Sequence, residues 1–306
     1  MSLLRYGNAL IHTVLNIKNV ILNIPYKRVN MRYFQTFGFI CLLLLMGARF
    51  QQSTLTIKGS DTMVILVQRW TEIYPDKNVS FQVTGGGSGT GIAALVNGTT
   101  DICASSRPMK PAEVTQMKEK YGVLPKEIRV ARDGISIYVN KENPIKKLTM
   151  KQLKEIFTGK IRNWKELGGA DHSIILYSRE NNSGTYEFFK EHVLSNKDFH
   201  PIAQHMPGTS AVVGAVAMDR WGIGYGGAAY TIGVREIPVS LDDTNKEYLP
   251  TEDNILSGKY PISRFLFFYL REKPKTQIKQ FIDWVIGPGG QKVVNEVGYF
   301  PSMKHN

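Results

Sequence analysis

Cysteine is nearly absent: the 306 residues hold two, Cys41 and Cys103. Cys41 lies inside an apolar run near the N-terminus. If that run is removed, Cys103 stands alone and no intrachain disulfide can form. Within "DICAS", Cys103 reads as a small core residue rather than a nucleophile. The six histidines show no H-x-H or H-E-x-x-H spacing, so no metal site is expected. Lys and Arg form no dense stripe with interleaved aromatics, which argues against nucleic acid as a partner. No apolar run approaches the ~20 residues of a spanning helix. A nucleotide loop is missing as well. Gly86 to Gly91 has the G-x-x-x-x-G spacing, but Ile92 stands where the lysine belongs. The dinucleotide fingerprint also fails, since Thr90 and Ile92 occupy the third-glycine positions. No cofactor is expected.

What is present begins with positive charge. The formal net charge is +12, and the first 49 residues contribute Arg5, Lys18, Lys27, Arg28, Arg32 and Arg49 with no acid. The remaining body is mildly basic, which favours anionic ligands weakly. Residues 31–48, "MRYFQTFGFICLLLLMGA", have the form of an export signal. Arg32 supplies the charged end, Phe37 to Met46 the apolar stretch, and Gly47-Ala48 the small residues near a cleavage point. That places residues 1–30 as an upstream extension, residues 1–50 as a leader and the mature protein outside the cytoplasm, in the periplasm. The alternative is a retained membrane anchor. Lipidation at Cys41 is not expected, because Phe39-Ile40 before it are not small.

The rest reads as strands alternating with helices, hence an α/β domain with a largely parallel sheet. "LTIK" (55–58) leads through Ser60-Asp61-Thr62 into a helix beginning "MVILV". "VSFQV" (79–83) leads into "TGGGSGTG" and then "IAALVNG". "DICAS" (101–105) runs into Ser106-Arg107-Pro108. "ISIYVN" (135–140), "IILYS" (174–178) and "RFLFFYL" (264–270) are further strands. The fifth of these six enters Arg179-Glu180-Asn181-Asn182-Ser183-Gly184-Thr185 and a helix. Two helices close the chain, broken at Gly287-Pro288-Gly289-Gly290. The glycine run reads either as a flexible linker or as a nest of N–H groups for an anion. Its flanks favour the nest. Loops beyond the carboxyl ends of strands, opening helices, are where such sheets bind anions.

Taken together, "KGSDTM", "GGGSGTGIAAL", "DICASSRPM", "RENNSGTYEFF", "WGIGYGG" and "GPGGQKVV" resemble the phosphate-binding proteins of ABC phosphate transporters. The resemblance covers residues 54–303 in order. It implies a type II periplasmic-binding-protein fold: two α/β lobes joined by two crossing strands, with the ligand in the cleft. "ISIYVN" and "RFLFFYL" are the expected crossings. The first lobe is then 54–137 with 266–306, and the second 138–265. The implied function is a receptor, not an enzyme, that binds inorganic phosphate as a monomer and delivers it to a permease and ATPase complex in the inner membrane. Other readings are a receptor for sulfate, molybdate or tungstate, a sensing or adhesin module without transport, or a secreted phosphate-ester hydrolase with Ser88 or Ser183 as nucleophile.

By the same resemblance, the expected ligands are Thr62, the Met63 backbone N–H, Ser88, Arg179, Ser183, Gly184 and Thr185; Ser60 and Ser106 join them from their place beyond strand ends, where an anion site is expected. Asp61, Gly89, Arg107 and Asn181 stand beside them as further candidates. Each carries a competing role: Asp61 as a helix cap, Arg107 in a salt bridge with a neighbouring acid. Two positions depart from the family pattern. Ser106 stands where some members have an aspartate, and Asn181 where some have an acid. Phosphate keeps a proton near neutral pH, since its relevant pKa is roughly 6–7, and sulfate does not. A site that prefers phosphate therefore needs an acceptor, for which Asp61 or the Ser106 hydroxyl is the substitute.

Overall fold

The computed structural model describes residues 53–271 and 274–302. The expected leader lies outside the described residues. One nine-stranded sheet organises the chain, built from β1 (Ser53–Gly59), β2 (Val79–Thr84), β3 (Ile102–Ser105), β4 (Lys126–Asn140), β6 (Ile175–Arg179), β7 (Gln204–Met206), β8 (Gly222–Gly227), β9 (Val234–Ile237) and β11 (Ser263–Leu270). Its order is β2-β1-β3-β11-β4-β8-β6-β7, with β9 also beside β4. The short strands β5 (Leu148–Thr149) and β10 (Val239–Ser240) pair separately.

The sheet is mixed rather than largely parallel. β1 is parallel to β2 and β3, and β6 is parallel to β7 and β8. β11 and β4 run antiparallel to their neighbours and join these two parallel sets. β4 is the longest strand at 15 residues. Lys126 to Gly134 pair with β11, and Ile135 to Val139 pair with β8. The partner change falls at Gly134-Ile135.

Helices pack on both faces, as parallel strands require. In the first half these are α1 (Val64–Ile73), α2 (Ser88–Asn97) and α3 (Pro111–Tyr121), with α8 (Thr276–Ile286) and α9 (Pro288–Glu296) returning from the C-terminus. In the second half they are α4 (Met150–Phe157), α5 (Gly184–His192), α6 (Thr209–Met218) and α7 (Glu252–Leu256). The alternation of strand side chains decides which core each residue joins. Along β11, Leu266, Phe268 and Leu270 enter a core with Trp70, Phe281 and Val285. Phe267 and Tyr269 turn to the opposite face, against Ile92, Leu95, Cys103 and Met117. Cys103 is fully buried there, and burial pushes its thiol up, which keeps it protonated and unreactive.

The second half has its own core, around Ile137, Phe157, Trp164, Phe189 and Tyr225. Phe189 stacks on Tyr225 at 3.9 Å, and Phe157 meets both rings edge-on. Thr149 opens α4 with a capping box to Gln152. Among the described residues no helix is long and apolar enough to cross a membrane.

Candidate functional site

Five loops meet at the middle of the sheet, and each follows a strand of a parallel set. After β1 the chain turns through a short 3-10 segment, Asp61–Met63. After β2 the glycine run bends at Gly86 (φ 104°) and Gly87 (φ 90°), a conformation that only glycine adopts freely, and α2 starts at Ser88. The loops after β3, β6 and β7 bring Ser106, Ser183 and Thr209. Two helix N-termini thereby face each other. A Cβ placed on Gly184, the first residue of α5, would lie 2.4 Å from Ser88 Oγ and 2.7 Å from Ser106 Oγ. N-termini carry partial positive charge and free N–H groups, so opposing them is favourable only around an anion.

The hydroxyls at this junction bond one another. Ser60 Oγ donates to Ser106 Oγ at 2.9 Å, and Ser106 Oγ is 3.2 Å from Ser88 Oγ. The Ser106 N–H donates to Ser88 Oγ at 3.0 Å. From opposite halves, Thr62 Oγ1 and Thr185 Oγ1 lie 2.8 Å apart. All five side chains are buried.

Arg179, at the end of β6, is a buried cation, 1% exposed. Its Nη1 donates to Thr209 Oγ1 and its Nη2 to Asp61 Oδ2, each at 2.8 Å, while Nε has no protein partner. Burial pulls its pKa down and Asp61 opposes that shift. Asp61 does not cap the first helix. Its other oxygen accepts from the Gly86 N–H at 2.7 Å, so it ties the β1 turn, the glycine loop and Arg179 together.

Other candidates sit differently. The Met63 N–H donates to Ser60 O at 3.0 Å, and its side chain is in the core. Ser183 caps α5, accepting from the Thr185 and Tyr186 N–H groups. Arg107 is in the salt bridge, gripped by Glu113 through both carboxylate oxygens at 2.7 and 2.8 Å. The Gly89 N–H donates to Asn182 O at 3.0 Å. Asn181 is exposed, at the rim of a cleft with Glu180, Tyr186 and His205.

Four participants carry no sequence signal of their own. Asn182 clasps the glycine loop, reaching Gly86 O at 3.1 Å. Thr209 holds Arg179. Asp133 and Arg264, from β4 and β11, form a buried ion pair at 2.9 Å, and Arg264 Nη2 also donates to Thr185 Oγ1 at 2.8 Å. In the sequence, "ARDG" and "SRF" resemble ordinary charged strand ends. Only the pairing of β4 with β11, Asp133 opposite Arg264, brings them together.

Residues 47–288 match the PBP superfamily domain. The phosphate-binding protein PstS of Pseudomonas aeruginosa is 36% identical over 264 residues, covering 79% of this chain and 81% of that protein. The protein of the same name from Staphylococcus epidermidis is 32% identical over 259 residues, 81% of this chain and 78% of its own. Among solved structures, a phosphate ABC transporter substrate-binding protein with bound phosphate from Clostridium perfringens superposes with a TM-score of 0.74. It is 31% identical, and the match covers 82% of this chain and all of that one. An ABC-type phosphate transport receptor from Vibrio cholerae gives a TM-score of 0.64 at 28% identity, over 80% of this chain and 99% of that one.

Proposed function

The chain belongs to the PBP superfamily, and we propose that it is an extracytoplasmic receptor that binds inorganic phosphate and delivers it to an ABC importer. The observation that carries this is Arg179: a buried guanidinium among five hydroxyls and two opposed helix N-termini. Such a set is complementary to a small tetrahedral anion, with charge-assisted bonds from one cation and neutral donors around it. Its relatives PstS are named for binding phosphate. Thr62, Ser88, Arg179, Ser183, Gly184 and Thr185 are the ligands we assign, with Ser60, Ser106 and the Met63 N–H completing the lining. Met63 can donate to the anion only if its N–H leaves Ser60 O.

In this reading the protein works as an exported monomer, and a permease and ATPase complex in the inner membrane takes up the phosphate. We place the lobe boundaries near 137/138 and 265/266, close to the point where β4 changes partner. Closure joins the lobes through Asp61–Arg179 and Thr62–Thr185 and excludes water from the ligand.

A hydrolase reading has little support from the serines. Ser88 Oγ bonds Ser106, and Ser183 Oγ caps α5. Neither is paired with a histidine or carboxylate to activate it. The test is calorimetry on the protein freed of endogenous ligand by unfolding and refolding, titrated with phosphate, sulfate, molybdate and arsenate near pH 7. Phosphate binding at micromolar Kd or tighter is the expected result. No heat with any of the four overturns it, and a preference for molybdate or sulfate assigns the site to that oxyanion instead.

A further inference from the structure

We propose that Arg264 is a positioning residue of the anion site, acting on the ligand through the Thr185 and Thr62 hydroxyls. The inference rests on the receptor reading above and concerns how that receptor directs its donors.

Arg264 lies in β11 opposite Asp133 of β4, and its side chain is 3% exposed. Its Nε and Nη2 both donate to Asp133 Oδ2, at 3.2 and 2.9 Å. The guanidinium carbon sits 5.4 Å from the centre of the Phe188 ring, an aromatic face that supports a cation. Nη2 has a second acceptor, Thr185 Oγ1 at 2.8 Å. Thr185 and Phe188 are three residues apart on α5, so they share one helix face and Arg264 grips both. An ion pair this deep is weak evidence for stability, because desolvating two charges offsets their attraction. A pair of apolar side chains would hold β4 to β11 as well. What an apolar pair cannot do is donate to Thr185.

The direction of that bond matters. A guanidinium only donates, so the Thr185 oxygen accepts from it and keeps its own hydrogen for another partner. Thr62 Oγ1 lies 2.8 Å from the same oxygen. Two hydroxyls in contact share one hydrogen between them and have one left. Head to tail, Arg264 donates to Thr185, Thr185 donates to Thr62, and the Thr62 hydrogen is left for the anion. If Thr62 donates to Thr185 instead, the Thr185 hydrogen is the free one. In either order a cation heads the chain and each bond polarises the next. Both threonines are completely buried, where the low dielectric strengthens such bonds. Two guanidiniums therefore serve the site from different strands, each tied to its own carboxylate. Arg179 faces the anion, and Arg264 works through hydroxyls.

The experiment is a double-mutant cycle read by calorimetric titration with phosphate at pH 7, with melting curves to check that each variant is folded. Asp133→Asn with Arg264→Met removes the donor and both charges together, a replacement that buried pairs commonly tolerate. This paired variant is expected to raise the phosphate Kd about tenfold, the weight of one hydrogen bond to a charged group. Thr185→Val is expected to raise it about tenfold or more. With all three changes, Kd should stay within about twofold of Thr185→Val alone, because Arg264 then has no hydroxyl to act through. A merely structural role would make the two effects multiply, to about a hundredfold, and that result overturns the inference. So does a paired variant, or a Thr185→Val variant, that binds phosphate as tightly as wild type. If the paired variant does not fold, Arg264→Lys takes its place. It keeps a cation beside Asp133 but lacks the planar fork, and it must show the same failure to multiply with Thr185→Val. Wild-type protein that binds no phosphate overturns the receptor reading. Wild-type protein that binds it, with multiplying effects in the variants, overturns this inference alone.

Discussion

Asp61 and Arg179, 118 residues apart in the chain, lie 2.8 Å apart in the structure, one in the 3-10 segment after β1 and the other at the end of β6. The contact neutralises a guanidinium that is 1% exposed while leaving its Nε free. In the receptor reading, removing the cation takes away the phosphate's charge partner, and it strands Asp61. Arg179→Ala is expected to raise the phosphate Kd at least about a hundredfold, the ~3 kcal/mol typical of truncating a buried charge pair. Asp61→Asn, on a half-buried partner, should raise it about tenfold. Calorimetric titration of both variants checks the order.

Gly184 lies against Ser88 and Ser106 of the first half. A methyl group there would sit 2.4 Å from Ser88 Oγ, a distance no Cβ tolerates. Gly184→Ala is therefore expected to hold the halves apart and to weaken phosphate by more than tenfold. Thermal stability of the ligand-free protein should change little, since α5 keeps its Ser183 cap and alanine is a good helix former. Parallel titration and melting curves separate the two effects.

Glu113 offers a pH test away from the ligand. Burial acts to raise its carboxyl, but the Arg107 guanidinium and the Lys110 N–H more than offset that and hold it below the usual range. A depressed carboxyl pKa contributes stability above the unfolded value, and loses it as pH falls through the folded value. Glu113→Gln should cost about 2 kcal/mol at pH 7. The difference from wild type should shrink once the pH drops below about 4, where the unfolded carboxyl is protonated. Urea unfolding at pH 7 and pH 3.5 measures it.

Phe268 is fully buried and meets Trp70 edge-on at 5.6 Å. Phe268→Ala should destabilise the protein by ~3–5 kcal/mol through the cavity it leaves. Saturating phosphate should recover part of the lost melting temperature, because the ligand binds only the folded state.

Much of this was legible from the chain. The hydroxyl-and-glycine loops announce themselves because only glycine bends where Gly86 and Gly87 bend, and because strand, small residues and helix follow in that order. The break between the last two helices was visible at Gly287-Pro288. Two things were not. The first half of β4, "KEIRVARDG", shows no strand alternation because charges interrupt it, yet Val130 and Ala131 are fully buried while Arg129 stacks outward on Phe265. The Asp133–Arg264 pair was hidden for the same reason: a charge in a strand says nothing of its partner until register places a second one opposite. Asp61 was legible as a residue and misread in role, since a cap and a cross-chain ion pair look alike in "GSDT".

The position of β11 governs the order in which the molecule can assemble. It lies between β3 and β4, and Gly290 O takes the Trp70 indole N–H at 2.8 Å. The core around Leu55, Ile57 and Trp70 thus waits for residues 263–302 to complete it. Contacts so distant in sequence close slowly. The second half, continuous in the chain, has its own core and can condense earlier. The strands β1 to β3 are thus locked in place only after the C-terminal residues arrive, and the loops that follow those strands settle with them.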